Sequence, residues 1–144
     1  MKLFQIEEPD GSPADPDVPG AAVGIDVSGA QAEVAVAIGG NAVVLSDREG
    51  FEVDLTVPSA TAAVPEWQAL LERVRLRAER ALARPVTHAV VVANGAAAKH
   101  IQAAAVAVQL VLLRVITPDQ TAGGNKPVSA AAILAEDLAP RIAP

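Results

Sequence analysis

The sequence predicts an α/β domain built on a mixed sheet of about five strands, with its elements in the order βββαβαβα. Two short apolar runs separated by a tight polar turn open the folded part, as is typical of an antiparallel pair of strands. Apolar runs of strand length then alternate with stretches of helical periodicity, which is typical of parallel strands joined by helical crossovers. With 144 residues, the chain has the length of one domain.

The first residues predict no folded structure. Pro and Asp dominate residues 7–20, and nothing in that stretch can be buried in a core. We therefore expect a disordered acidic leader over residues 1–20 and the folded domain over residues 21–144. No signal peptide is predicted, because the start lacks an apolar run and turns acidic at Glu7.

Three strands are predicted in the first half of the domain. The first two cover about 22–28 and 32–38, and Gly39-Gly40-Asn41 is a turn signal. The third strand is the apolar run 42–45, the segment 51–57 with its alternating apolar and polar residues, or both.

The second half predicts three helices that alternate with two strands. Helices are expected over about 65–83, 95–107 and 127–138, and strands over 87–93 and 111–116. The first helix begins at a Pro followed by an acid and carries apolar residues at spacings of three and four. We expect one face of this helix to contact the core (Trp67, Leu70, Leu71, Val74, Ala78 and Leu82) and the other to be solvated (Glu72, Arg73, Arg77, Glu79 and Arg80).

Composition argues against several classes of function. The net charge is −6, with 17 acidic and 11 basic residues, whereas a domain that binds nucleic acid by electrostatic attraction is usually basic. The chain has no cysteine, and therefore no disulfide, thiolate metal site or cysteine nucleophile. The apolar run from Ile101 to Ile116 contains polar residues and is shorter than the ~20 residues of a membrane span. We expect a cytoplasmic protein.

One carboxylate stands within the first predicted strand. Asp26 follows Val23-Gly24-Ile25 and precedes Val27-Ser28. A lone charge in an apolar strand is costly unless a metal, a partner or solvent relieves it. Asp26 is therefore the candidate catalytic and metal-binding residue of this sequence.

This opening resembles the N-terminal, RuvC-like domain of the DEDD transposases of insertion-sequence family 110. Those proteins begin Gly-Ile-Asp-Val-Ser-Lys and then Leu-Asp-Val-Ala-Val, where this chain has residues 24–29 and 32–36. The resemblance implies a ribonuclease-H-like three-layer fold over residues 22–139 and an ancestral role in DNA binding and transposition by recombination. Later motifs of the family are matched in part by residues 57–60, 90–95, 115–120 and 125–135.

The same resemblance implies that the metal site is incomplete. In the family, four carboxylates bind the metal ions that activate water or a hydroxyl for strand transfer. Here the first is Asp26, and the other three fall on Ala93, Pro127 and Ala130. We therefore expect Asp26 to be the vestige of a lost site, with Mg²⁺ as the cofactor of any residual activity. We predict that the chain does not cleave DNA.

Two alternatives stay open. The chain is more distantly similar to actin-like ATPases, including the heat-shock chaperones that open Gly-Ile-Asp-Leu-Gly-Thr-Thr, but Ser28-Gly29-Ala30 replaces the phosphate-binding end of that motif. The other alternative is a non-catalytic scaffold that forms homo-oligomers through an exposed apolar surface along residues 96–108. By analogy with the transposases the partner is DNA or RNA. The residues that would contact it, which otherwise solvate the surface, are Lys99, His100, Arg114 and Lys126.

Overall fold

The computed structural model describes residues 20–47, 52–121 and 126–139, which contain one five-stranded mixed sheet. The strands lie in the order β3-β2-β1-β4-β5. β1 pairs antiparallel with β2, and β2 with β3, whereas β4 and β5 run parallel to β1. The α/β class expected from the sequence is confirmed. The strand bounds are β1 (Ala21–Asp26), β2 (Glu33–Ile38), β3 (Asn41–Val44), β4 (Val86–Val92) and β5 (Val111–Ile116).

Helices cover both faces of this sheet. The helix bounds are α1 (Val64–Leu82), α2 (Ala98–Ala107) and α3 (Pro127–Leu138), with 3₁₀ turns at Gly95–Ala97 and Pro118–Thr121. α1 and α2 pack against each other over one face, and α3 crosses the other face over β1, β2 and β4. The domain therefore has three layers.

The central strands are buried on both faces, so that their alternating side chains contribute to two cores. Val23 and Ile25 of β1 pack with Trp67 of α1 in the first core. Val90 of β4 packs with Ala131 of α3 in the second. Parallel strands covered on both faces carry near-continuous apolar runs, which is why β1 and β4 have such uniformly apolar sequences.

Most of the predicted elements are confirmed, and β5 and α3 have the predicted bounds. Of the two candidates for the third strand, the run 42–45 is confirmed as β3, whereas the described residues 52–57 make one isolated bridge between Gln31 and Thr56. This segment runs beside the β1–β2 connection, where the Ala32 N–H donates to the Leu55 carbonyl at 2.8 Å. Leu55 is buried in the first core, which explains the alternating pattern without a place in the sheet.

The charged face of α1 is only partly solvated. Glu72, Arg73 and Arg80 are exposed, as expected. Arg77, however, forms an ion pair with Asp47 at 2.9 Å, and the two side chains are 18% and 3% exposed. The prediction that Arg77 is solvated is wrong. Its partner Asp47 lies 30 residues earlier in the chain, so the helical periodicity of α1 contains no sign of the ion pair.

Some sequence predictions fall on residues outside the described ranges. The leader expected over 1–20 lies outside the described residues except for Gly20. Residues 122–125, where Gly123-Gly124 is a sequence signal for a loop, also lie outside the described residues. Within the described ranges, every helix is too short or too polar to cross a bilayer.

Candidate functional site

The candidate site lies where the carboxyl ends of β1, β4 and β5 meet at one edge of the sheet, the usual place for ligands in open α/β sheets. Asp26 is the last residue of β1 and is level with Val92 of β4. The pairing continues for one residue beyond the strands. The Val27 N–H donates to the Val92 carbonyl at 2.9 Å, and the Ala93 N–H donates to the Ile116 carbonyl at 2.9 Å.

The Asp26 carboxylate is held by its own turn. Asp26 is 8% exposed, and its Oδ1 accepts hydrogen bonds from the backbone N–H of Ser28 at 2.9 Å and from the Ser28 hydroxyl at 2.6 Å. An Asp that accepts from the residue two positions later forms a local turn that competes with continued strand structure. Hydrogen bonds within the turn therefore offset part of the cost of burying this charge.

A second carboxylate, Glu33, lies next to Asp26. Glu33 is the residue of β2 directly opposite Asp26, and such pairs project from the same face of an antiparallel pair. The Nζ of Lys126, the residue before α3, lies 3.4 Å from Oε2 of Glu33 in an exposed ion pair. No sequence motif marks Glu33, although the register of the short β1–β2 hairpin places it opposite Asp26.

The three positions that the resemblance couples to Asp26 carry no ligand atoms on their side chains. Ala93 follows β4 directly and is 1% exposed. Pro127 and Ala130 lie in the first turns of α3. Among the residues that the structure describes, no group of three or more His, Cys, Asp or Glu could hold a metal ion.

Glu136, an acidic residue that follows the last motif, lies away from Asp26. Both carboxylate oxygens of Glu136 accept hydrogen bonds at the β2–β3 turn, from Gly39 N–H at 2.7 Å and from Gly40 N–H at 2.9 Å. Because β2 runs antiparallel to β1, this turn lies at the opposite end of the sheet from Asp26. Asp119 and Asp137 are exposed.

The histidines and the remaining basic candidates lie on separate elements. His88 of β4 has Nδ1 at 2.7 Å from the Thr87 hydroxyl, and burial lowers the pKa of the ring, which favours neutral imidazole at pH 7. His100 of α2 has a buried Nδ1 without a hydrogen-bond partner in the described part of the chain. Lys99 lies on α2 and Arg114 on β5, both exposed.

A cleft of about 140 Å³, which we name the Trp67 cleft, lies beside the same edge. Trp67 is 1% exposed, and its indole Nε1 is buried with no hydrogen-bond partner among the described residues. The placement of Trp67 in the core is confirmed, but helical periodicity gave no sign of the cleft. Its lining residues are Val27, Ser28, Gly29, Val57, Pro58, Ala60, Trp67, Asn94 and Ala97.

No protein-family model and no curated protein matches the chain. The relation to the transposases therefore rests on residues 24–36 and on the later motifs, and it is a proposal.

Proposed function

We propose that this chain is a ribonuclease-H-like domain, related to the N-terminal domain of DEDD transposases, that has lost metal-dependent phosphoryl transfer and serves as a non-catalytic domain. The observation that carries the proposal is the set of residues expected around Asp26: Ala93, Pro127 and Ala130 in place of three carboxylates. The observed mixed sheet with helices on both faces supports the fold assignment, because the resemblance implies a three-layer domain.

The loss of activity follows from the number of available ligands. Two-metal phosphoryl transfer needs several oxygen ligands around ions about 3.5–4 Å apart. Asp26 supplies one carboxylate, and its Oδ1 already accepts two hydrogen bonds from Ser28. Glu33 supplies a second, but Lys126 competes with any cation for it. A divalent ion here would keep most of its water and would not orient a nucleophile.

Restoring the missing carboxylates tests the relation to the transposases. We would replace Ala93→Glu, Pro127→Asp and Ala130→Asp together and measure Mn²⁺ binding by paramagnetic broadening of the NMR signals of Asp26 and Ser28. Saturable broadening in the restored variant is expected, because the family geometry would bring these side chains to Asp26. The matched control adds the same three charges out of register (Asn94→Glu, Gln120→Glu and Ser129→Asp) and should show no saturable broadening.

DNA cleavage tests the loss of activity separately. The unmodified chain should leave supercoiled and branched DNA intact in Mg²⁺ or Mn²⁺. Cleavage that Asp26→Asn abolishes would overturn the non-catalytic proposal. A restored variant that folds, judged by its NMR dispersion, yet binds no Mn²⁺ would instead count against the transposase relation.

Exposed apolar residues between α2 and the edge strand β5 favour a homo-oligomeric scaffold as the second candidate. Val106 is 79% exposed and Val111 is 52% exposed. They border a groove of about 760 Å³. The surface expected along residues 96–108 is only partly apolar and exposed, because Ile101 and Ala104 are buried.

Light scattering after size exclusion tests this candidate. Replacing Val106→Lys and Val111→Lys together should convert a dimer into a monomer. The control is Ile38→Lys, which adds a charge at a 73% exposed residue of β2 and should leave the dimer intact. A monomeric unmodified chain at high concentration would contradict the scaffold candidate.

A further inference from the structure

We propose that Asn94, which lies just beyond β4, is a modification site at which the chain converts a side-chain amide into a carboxylate. Asn94 and Gly95 form the only Asn-Gly pair in the sequence, and both residues are exposed. The Asn94 side chain makes no capping hydrogen bond, and the Gly95 N–H donates none to another described residue. The amide carbon and the backbone nitrogen that would attack it are therefore both accessible and free of hydrogen bonds within the described structure.

The conversion is an intramolecular deamidation. The backbone nitrogen of Gly95 loses its proton and attacks Cγ of Asn94, and the bond from Cγ to Nδ2 breaks as ammonia leaves. Water then opens the resulting succinimide ring. Cleavage between Cγ and the Gly95 nitrogen gives aspartate, whereas cleavage between the Asn94 carbonyl carbon and that nitrogen gives isoaspartate. The overall reaction consumes one water, releases one ammonia and needs no oxidant, metal or second protein.

The local backbone opposes this reaction only weakly. Asn94 has a φ of −67° and a ψ of 142°, so the peptide unit that joins it to Gly95 must turn before the nitrogen faces Cγ. Among the described hydrogen bonds, that turn breaks the one in which the Ala97 N–H donates to the Asn94 carbonyl at 3.0 Å. A Cβ added to Gly95 would meet no atom within 4 Å, so the peptide unit has space to move. Gly95 also lacks a side chain that would crowd its own nitrogen.

The product places a new negative charge at the edge of the sheet that carries Asp26. Asn94 and Ser28 line the same cleft, and the Ser28 hydroxyl donates to the Asp26 carboxylate. The isoaspartate form also adds a methylene group to the main chain between β4 and α2. Neither change depends on the transposase relation or on a metal, so failure of this proposal would leave the proposed function untouched.

Peptide mass spectrometry after incubation of the folded chain at mildly alkaline pH tests the proposal. Trypsin does not cleave an Arg-Pro bond and therefore releases residues 81–99 as one peptide, in which Asn94 is the only side-chain amide. This peptide should gain about 1 Da, since OH replaces NH₂, and should separate into aspartate and isoaspartate forms. The Asn94→Asp variant supplies the aspartate standard. Isoaspartate arises only through the ring, so its presence distinguishes attack by Gly95 from direct hydrolysis.

Gly95→Ala is the matched variant, because the open space around Gly95 accepts a methyl group without a change of fold. The variant should slow the mass gain about tenfold, equivalent to about 1.4 kcal/mol of activation free energy, because the methyl group crowds the attacking nitrogen. The unmodified chain unfolded in urea gives the rate without the fold. A native chain whose peptide keeps its mass while the unfolded chain gains it would overturn the proposal. So would equal rates in the unmodified chain and in a folded Gly95→Ala variant, or aspartate formed without isoaspartate.

Discussion

Gly24 of β1 and Ala132 of α3 meet backbone to backbone. A Cβ added to Gly24 would lie less than 3.0 Å from backbone atoms of Ala132, closer than real Cβ atoms approach. Gly24 is in the central strand, with β2 on one side and β4 on the other, so β1 cannot move away without disturbing the sheet. The close spacing between α3 and the sheet therefore requires a residue without a side chain at position 24.

Gly24→Ala should lower the free energy of unfolding by about 3 kcal/mol, measured by urea denaturation, because the added methyl group must separate α3 from β1. The matched control is Gly29→Ala, where the nearest atom to an added Cβ is the Gln31 carbonyl oxygen at 3.9 Å. That control should change stability by less than about 0.5 kcal/mol. Equal effects of the two substitutions would show that α3 does not pack closely at Gly24.

The sequence predicted the elements well where neighbouring residues determine their boundaries. Pro127 at the start of α3 and Thr117-Pro118 after β5 set boundaries that the structure confirms. The turn at Asp26 is local in the same sense, since the carboxylate bonds the residue two positions later. The lone charge in an apolar strand made Asp26 a candidate site residue, but only the structure identifies Ser28 as its hydrogen-bond partner.

The contacts that could not be predicted join distant segments. Asp47 meets Arg77 across 30 residues, and Glu136 meets Gly40 across 96. Neither pair changes the hydrophobic periodicity of its own element, so a single sequence contains no signal of it. The Trp67 cleft is similar, because it forms between residues of several elements and Trp67 itself has the pattern of an ordinary core residue.

The ion pair between Asp47 and Arg77 should make stability depend on pH. The Arg77 hydrogen bond is the main cause that holds the pKa of Asp47 below its usual value, and the Val53 N–H adds to it at 2.6 Å. A carboxylate with a lowered folded-state pKa contributes stability above its unfolded pKa, and that contribution is lost as the pH falls through the folded value. The loss is therefore expected to begin as the pH falls toward the ordinary Asp value of 3.8 and to be complete only below the lowered pKa of the folded state.

Asp47→Asn should lower the free energy of unfolding by about 2 kcal/mol at pH 7, because it leaves Arg77 largely buried without its counterion. The gap between variant and unmodified chain should close on acidification, as followed by urea denaturation at several pH values. Asp119→Asn is the control, since Asp119 is exposed and belongs to neither ion pair of the described residues. A gap that stays constant with pH would contradict the assigned role of Asp47.

The turn at Asp26 should be a source of stability rather than of chemistry. Ser28→Ala removes the 2.6 Å hydrogen bond to the carboxylate but keeps the backbone bond, so a loss of about 1–2 kcal/mol is expected in thermal or urea unfolding. Asp26→Asn retains an acceptor oxygen and should cost less than Asp26→Ala. A double-mutant cycle between Asp26→Ala and Ser28→Ala should give a coupling near the cost of Ser28→Ala alone.

A metal-binding role would produce a different pattern. In that case Asp26→Asn would raise stability in the absence of metal, because it removes an unneutralised charge, and added Mn²⁺ would stabilise only the unmodified chain. Unfolding curves with and without about 1 mM Mn²⁺ distinguish the two roles. This concentration is near the dissociation constants of weak Ca²⁺ sites in extracellular modules.

Glu136 should hold the β2–β3 turn to α3. Its two oxygens accept the N–H groups of Gly39 and Gly40, whose φ values of 60° and 82° lie in the left-handed region that suits a two-residue hairpin turn. Glu136→Ala should expose both N–H groups and lower the free energy of unfolding by about 1–2 kcal/mol. Hydrogen exchange should accelerate at Gly39, Gly40 and the edge strand β3 before it does at β1.

Asp137→Ala provides the matched comparison for Glu136→Ala, because it removes the neighbouring, exposed carboxylate of the same helix. It should leave exchange at the turn unchanged, since Asp137 donates nothing to that contact and accepts nothing from it among the described hydrogen bonds. Equal acceleration in both variants would mean that loss of charge on α3, not the specific bond, loosens the hairpin. Because β3 pairs with β2 only, the turn contact adds a tertiary restraint to that edge.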